Sequence, residues 1–142
     1  MTRPEPGART IILTRVDVPG VDTEELAADD LGGGQFVLRS IPFVDTHLAL
    51  GDIVACVRVD GRWCVDAVTA RGGNSTLRVL PGAVDVVSPL ERLGCRVEAG
   101  PAGLIAVNVG PDAPVSGIEE WLAGLAAEGL IDVSPGYLAW RE

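Results

Sequence analysis

The chain has 142 residues and a formal charge of −9, and all eleven of its cationic side chains are arginine. That length suits one compact domain, or two small subdomains sharing a core, and buries about two-thirds of the unfolded surface, so folding requires neither a metal nor a disulfide. The acidity leaves no broad basic stripe for nucleic acid, and no apolar run approaches the roughly 20 residues of a membrane-spanning helix.

Residues 1–10 lack the apolar stretch and small-residue cleavage site of a secretory signal, so a frayed lead-in and a cytoplasmic residence are expected. Residues 10–16 form a β-rich apolar run, which Pro19-Gly20 breaks. The acidic stretch from Asp22 to Ala28 then reads as a short capped helix or a turn. Gly32-Gly33-Gly34 reads as a loop rather than a phosphate cradle, because the strand expected over residues 35–41 follows it where a cradle needs a helix N-terminus.

Residues 52–69 carry the clearest local signal. Two β-rich runs meet at Asp60-Gly61, a pair suited to a two-residue type I′ hairpin, where both positions take positive φ. That turn sets Val59 opposite Arg62, Val57 opposite Cys64 and Cys56 opposite Val65, so Cys56 and Cys64 lie on different faces and cannot bond. One face carries Ile53, Ala55, Val57, Cys64 and Val68, the other Val54, Cys56, Trp63, Val65 and Ala67. Both are largely apolar, and both are expected to be covered.

From Ser75 the order is strand 75–80, short helix 89–93, strands 95–99 and 104–109, helix 117–128 and a strand near 131–133. Residues 83–88 read equally as helix or strand end. Ser88-Pro89-Leu90-Glu91 and Ser116-Gly117-Ile118-Glu119 each read as a capping box. The expected fold is α+β: a β-rich half over residues 1–74, as a small barrel or hairpin-extended sheet, then a ferredoxin-like βαββαβ sandwich over residues 75–142, in one integrated unit.

Three stretches, Gln35-Phe36-Val37-Leu38-Arg39-Ser40-Ile41-Pro42-Phe43, Gly51-Asp52-Ile53-Val54 and Gly73-Asn74-Ser75-Thr76-Leu77-Arg78, together resemble an uncharacterised bacterial family, domain of unknown function 4265. The strings Leu93-Gly94-Cys95-Arg96-Val97-Glu98 and Leu104-Ile105-Ala106-Val107 are similar to the second half of its pattern. The resemblance implies a bacterial origin and a shared fold, and brings no catalytic residues.

Function must therefore be argued from side chains. Asp45, His47 and Asp52 lie within eight positions and could converge as acid, base and orienting carboxylate, with Arg39 or Arg78 holding a substrate anion. A polar loop capped by turn residues accounts for the same three. Arg71, Asn74, Ser75, Thr76 and Arg78, with the glycines between them, offer donors for a small carboxylate or phosphate. An inter-strand turn whose arginines pair with neighbouring carboxylates is the favoured account.

Cys56, Cys64 and Cys95 show no CxxC spacing, and with one histidine they suggest neither a metal site nor a disulfide; buried thiols with raised pKa are expected. No cofactor motif is present. The leading expectation is a non-catalytic binding protein with a basic protein partner, either an immunity-type inhibitor or an accessory protein of a biosynthetic cluster. Two alternatives stay open: a homodimeric sensor of a small anionic metabolite, and a small cofactor-free acid/base enzyme.

Overall fold

The structure is a computed structural model that describes residues 9–141; the expected lead-in falls mostly outside them. Five strands, β1 (Arg9–Val18), β2 (Val21–Gly32), β3 (Gln35–Leu38), β4 (Ile53–Val59) and β5 (Arg62–Ala70), follow one another around a closed barrel. Each antiparallel step reverses direction, so an odd number of strands brings the first and the last together parallel. The seam obeys this: β1 meets β5 in parallel, through the single pair Leu13↔Cys64.

Inside the barrel, Ile12, Leu26, Phe36, Leu38 and Val54 are at most 1% exposed. Burial of each such side chain contributes about 1.5–3 kcal/mol. The Trp63 ring tilts onto Phe36 with centroids 5.3 Å apart.

The hairpin forms as its turn dictates. Asp60 and Gly61 take φ of 51° and 78°, and the three expected cross-strand pairs are present. Its expected double coverage is not. Bulges at Ile53/Val54 and Ala55/Cys56 shift the register so that Val68 pairs with Val54 and packs with the barrel core. A barrel wall has an outer side, and there Val57 is 47% exposed.

The segment expected as a helix or turn from Asp22 is instead part of β2, laddered to β1 from Thr23 to Ala28, with β3 joining on the other side from Ala28 onward. Leu26 and Ala28 point inward while Glu25 stays exposed, and the pairing with β1 together with this alternate burial overrides the local helical preference. The glycine triplet is the turn into β3, with all three glycines at positive φ.

Beyond residue 74 lie β6 (Ser75–Leu80), α1 (Val87–Arg92), β7 (Arg96–Ala99), β8 (Ile105–Val109), α2 (Val115–Ala127) and β9 (Asp132–Pro135). The strands form a sheet in the order β7-β8-β6-β9, with every neighbouring pair antiparallel. Leu77, Val79 and Val107 share a core with Leu90 of α1 and with Ile118 and Leu122 of α2. The result is a mostly-sheet α+β fold: a closed five-stranded barrel, a second sheet and two helices.

Neither expected capping box forms. Ser88 lies inside α1, and the Asp85 Oδ1 atom accepts its backbone N–H at 3.2 Å. That bond holds the Asp85 carboxyl below its ordinary pKa. Helix α2 starts at Val115 without a side-chain cap, one residue before Ser116. Of the segment left open over residues 83–88, the first four residues are a turn leading into α1, with Val86 fully buried, and Val87 and Ser88 begin the helix.

Candidate functional site

The candidate residues gather around residues 39–52, the connection from β3 to β4, which lies between the barrel and the polar face of the second sheet. Along β6, alternation turns Leu77 and Val79 toward the helices and Thr76 and Arg78 toward this connection.

Carboxylates organise the connection. Glu24, on the inward side of β2 with Leu26, accepts the backbone N–H groups of Phe43 at 2.6 Å and Asp45 at 2.9 Å. Asp45 Oδ2 accepts the Thr14 hydroxyl at 2.6 Å, and its Oδ1 accepts the His47 backbone N–H at 2.7 Å. Asp52 has no solvent exposure and accepts three donors: Ala49 N–H at 3.0 Å, Gly72 N–H at 3.0 Å and Arg71 Nη1 at 2.8 Å.

His47 Nδ1 lies 3.6 Å from Asp45 Oδ1, with the imidazole 88% exposed. Asp45 and His47 are thus brought together, on a shallow cleft they share with Arg15 and Asp17. Asp52 is engaged elsewhere. It meets His47 only through Arg71, whose Nη1 also donates to the His47 carbonyl at 2.7 Å.

The expected anion cradle is an assembly of tethers. Arg71 stacks on the Tyr137 ring at 4.0 Å. Asn74 donates to the Leu50 carbonyl at 2.8 Å and accepts from Asn108, and Ser75 Oγ accepts the Ala139 N–H at 2.7 Å. Arg78 donates to the carbonyls of Phe43, Val44 and Pro135, fastening the connection to the sheet. Arg39 lies apart from these on the barrel, bonded at 2.6 Å to Asp29. Its hydrogen bond and that of Arg9 hold the Asp29 carboxyl below the usual range.

Three buried atoms on this face, Thr76 Oγ1, Arg78 Nε and Asn108 Oδ1, have no hydrogen-bond partner among the described residues. Burial pushes the Cys56 thiol up to about 11 and raises Cys95 as well. Among the described residues, no group of three or more His, Cys, Asp and Glu side chains is placed to hold a metal, and no helix is long and apolar enough to cross a membrane.

Sequence reasoning passed over Glu24, Thr14 and Asn108. The available signal was the alternation Glu24-Leu26-Ala28, which puts a carboxylate on the inward face of a strand. Thr14 and Asn108 could be found only through partners 31 and 34 positions away.

The site is therefore a buried polar joint between a meander barrel and an antiparallel sheet, and that two-part architecture defines the class of protein. The chain belongs to the family described as Domain of unknown function (DUF4265), whose pattern matches residues 24–133. A crystal structure described as that of a hypothetical protein from Neisseria gonorrhoeae has the same fold, with a TM-score of 0.79 at 20% identity over 96% of this chain and 98% of the other. No curated protein matches the sequence.

Proposed function

We propose that this is a non-catalytic, cytoplasmic bacterial binding protein, either an immunity-type inhibitor that occludes a toxin or an accessory protein of a biosynthetic cluster. One observation carries the reading: the polar groups that could have formed an acid/base site are committed to the joint. Both Asp52 oxygens and both Asp45 oxygens accept donors from the chain, and His47 stands out in solvent. General acid/base catalysis needs the group within reach of a bound substrate's proton, and an imidazole this exposed, at the rim of the cleft it shares with Arg15 and Asp17, excludes little water from such a substrate.

A net charge of −9 favours a basic partner by electrostatic steering. The second sheet is read as a ferredoxin-like sandwich, supported by its strand order and by the apolar core it shares with both helices. Its outer strands β7 and β9 are available for edge pairing between copies or with a partner. The test is affinity capture of the tagged protein from its native host at low salt. Recovery of one basic protein at stoichiometric yield, lost at high salt, supports the proposal. No stoichiometric partner, together with no protection against toxins encoded beside the gene, refutes it.

A further inference from the structure

A cavity of about 530 Å³ lies between the second half of α2, β9 and the C-terminal turn, on the helix side of the second sheet, with Pro135 common to it and to the polar joint. Its walls include Leu77, Leu122, Ala126, Val133, Leu138 and Trp140. The space exists because α2 presents small side chains there: Ala123, Ala126 and Ala127 stand where larger apolar residues would close the gap to β9. The volume falls within the range of small-molecule sites, which are mostly apolar with a few placed polar groups.

Three residues with polar groups line this wall, Glu119, Trp140 and Arg141. The Trp140 indole Nε1 is buried without a hydrogen-bond partner among the described residues, and indole is purely a donor, so it calls for an acceptor. Arg141 supplies a cation beside it on the same cavity. Its contact with Glu119 is long, 3.5 Å, with the two side chains 64% and 36% exposed, which leaves the guanidinium open to competition.

We propose that this cavity binds a small amphiphilic monocarboxylate, with its hydrocarbon or aryl body against Leu122, Ala126, Val133 and Leu138. The carboxylate accepts from Trp140 Nε1 and pairs with Arg141. This goes beyond protein binding through the acidic surface and does not depend on it.

The experiment is calorimetric titration of the full chain with sodium octanoate and, as the neutral counterpart, 1-octanol. Octanoate is expected to bind at one site per chain. Ala123→Trp, at an exposed helix position on the cavity, should weaken both ligands at least tenfold with an unchanged melting temperature. Arg141→Gln should weaken octanoate about fivefold to tenfold and leave octanol within twofold. Trp140→Phe keeps the ring and should weaken octanoate severalfold.

Absence of saturable octanoate binding up to 5 mM overturns the proposal, on a scale set by the efficiency of small ligands. So does undiminished binding to natively folded Ala123→Trp, or an Arg141→Gln effect equal for acid and alcohol. A wild-type dimer that Ala123→Trp makes monomeric, read by light scattering, would assign the groove to a subunit interface and also overturn it. Protein capture from the host can fail or succeed without changing any of these readings.

Discussion

If Asp52 holds the joint together, Asp52→Ala must cost stability whatever it does to function. The carboxylate has no solvent exposure and accepts from two backbone N–H groups and one guanidinium. Its loss strands the N–H groups of Ala49 and Gly72, while Arg71, 35% exposed, keeps the His47 carbonyl and partial hydration. Removing one side of a buried, hydrogen-bonded ion pair costs about 3–5 kcal/mol, and the exposure of Arg71 places this case at about 3. For a chain of this length the unfolding entropy near the midpoint is about 0.3 kcal/mol per kelvin, so the melting temperature should fall about 10 °C. Urea denaturation followed by circular dichroism gives the free energy directly, with the slope m unchanged if the denatured state is unaffected. His47→Ala is the internal control: its side chain is 88% exposed, and its removal should cost less than about 0.5 kcal/mol. Asp52→Ala within 1 kcal/mol of wild type would refute the structural role and reopen the acid/base reading of the three residues.

Other substitutions test the same joint and the cores beside it. A Cβ on Gly72 would sit 2.8 Å from the Gly51 carbonyl carbon and oxygen, backbone that cannot swing away, so Gly72→Ala should lose about 2 kcal/mol in the same urea assay; an unchanged midpoint would show that the two glycines do not need this approach. Thr76 is fully buried and its hydroxyl has no partner among the described residues, so the isosteric Thr76→Val should gain about 1 kcal/mol. A comparable loss would mean the hydroxyl bonds to something in solution. Cys56 is raised by burial first, then by Cys64 and Asp66, from 9.0 to about 11, so the folded state favours the neutral thiol. Its contribution is complete below pH 9 and lost as pH climbs from 9 to about 11. The wild-type urea midpoint should therefore decline through that window more steeply than that of Cys56→Ala, and parallel declines would contradict the assignment.

What could be read in the sequence was what neighbouring residues decide. Asp60-Gly61 sets the hairpin register because both turn positions need positive φ, and that requirement is local. The period-two pattern of residues 75–80 places β6, whose bounds match the expectation. β2 was misread because Glu24, Glu25, Leu26 and the two following alanines also suit a helix; only the long-range ladder to β1 decides for a strand. The two serine caps failed for a related reason, since a capping box is a local preference and the turns before α1 and α2 are shaped by the core against which Val86 and Ile118 pack. The candidate polar residues were found as a group, but many of their partners lie 19 to 64 positions away, and those partners separate a tether from a free donor. The apolar cavity carried no motif, being made of alanines on a helix face, the commonest filling of a helix.

The parallel contact that closes the barrel has consequences for how the protein must be handled in folding and storage. Strand β1 is laddered to β2 along nearly its whole length, yet its other edge joins β5 through one residue pair bridging 51 positions of chain. The β1–β2, β2–β3 and β4–β5 hairpins form early because their loops are short, whereas this closure must wait for the whole meander, including the long connection from β3 to β4. Until it closes, the chain is an open five-stranded sheet with two bare edges, one of them carrying Ile11 and Leu13 and the other Cys64. Such edges pair readily with a second chain, and the arginines flanking them, Arg9, Arg15 and Arg62, serve as the charged gatekeepers that discourage it. Concentrated refolding, or removal of those charges, should therefore turn a barrel-closing strand into the first contact of an aggregate.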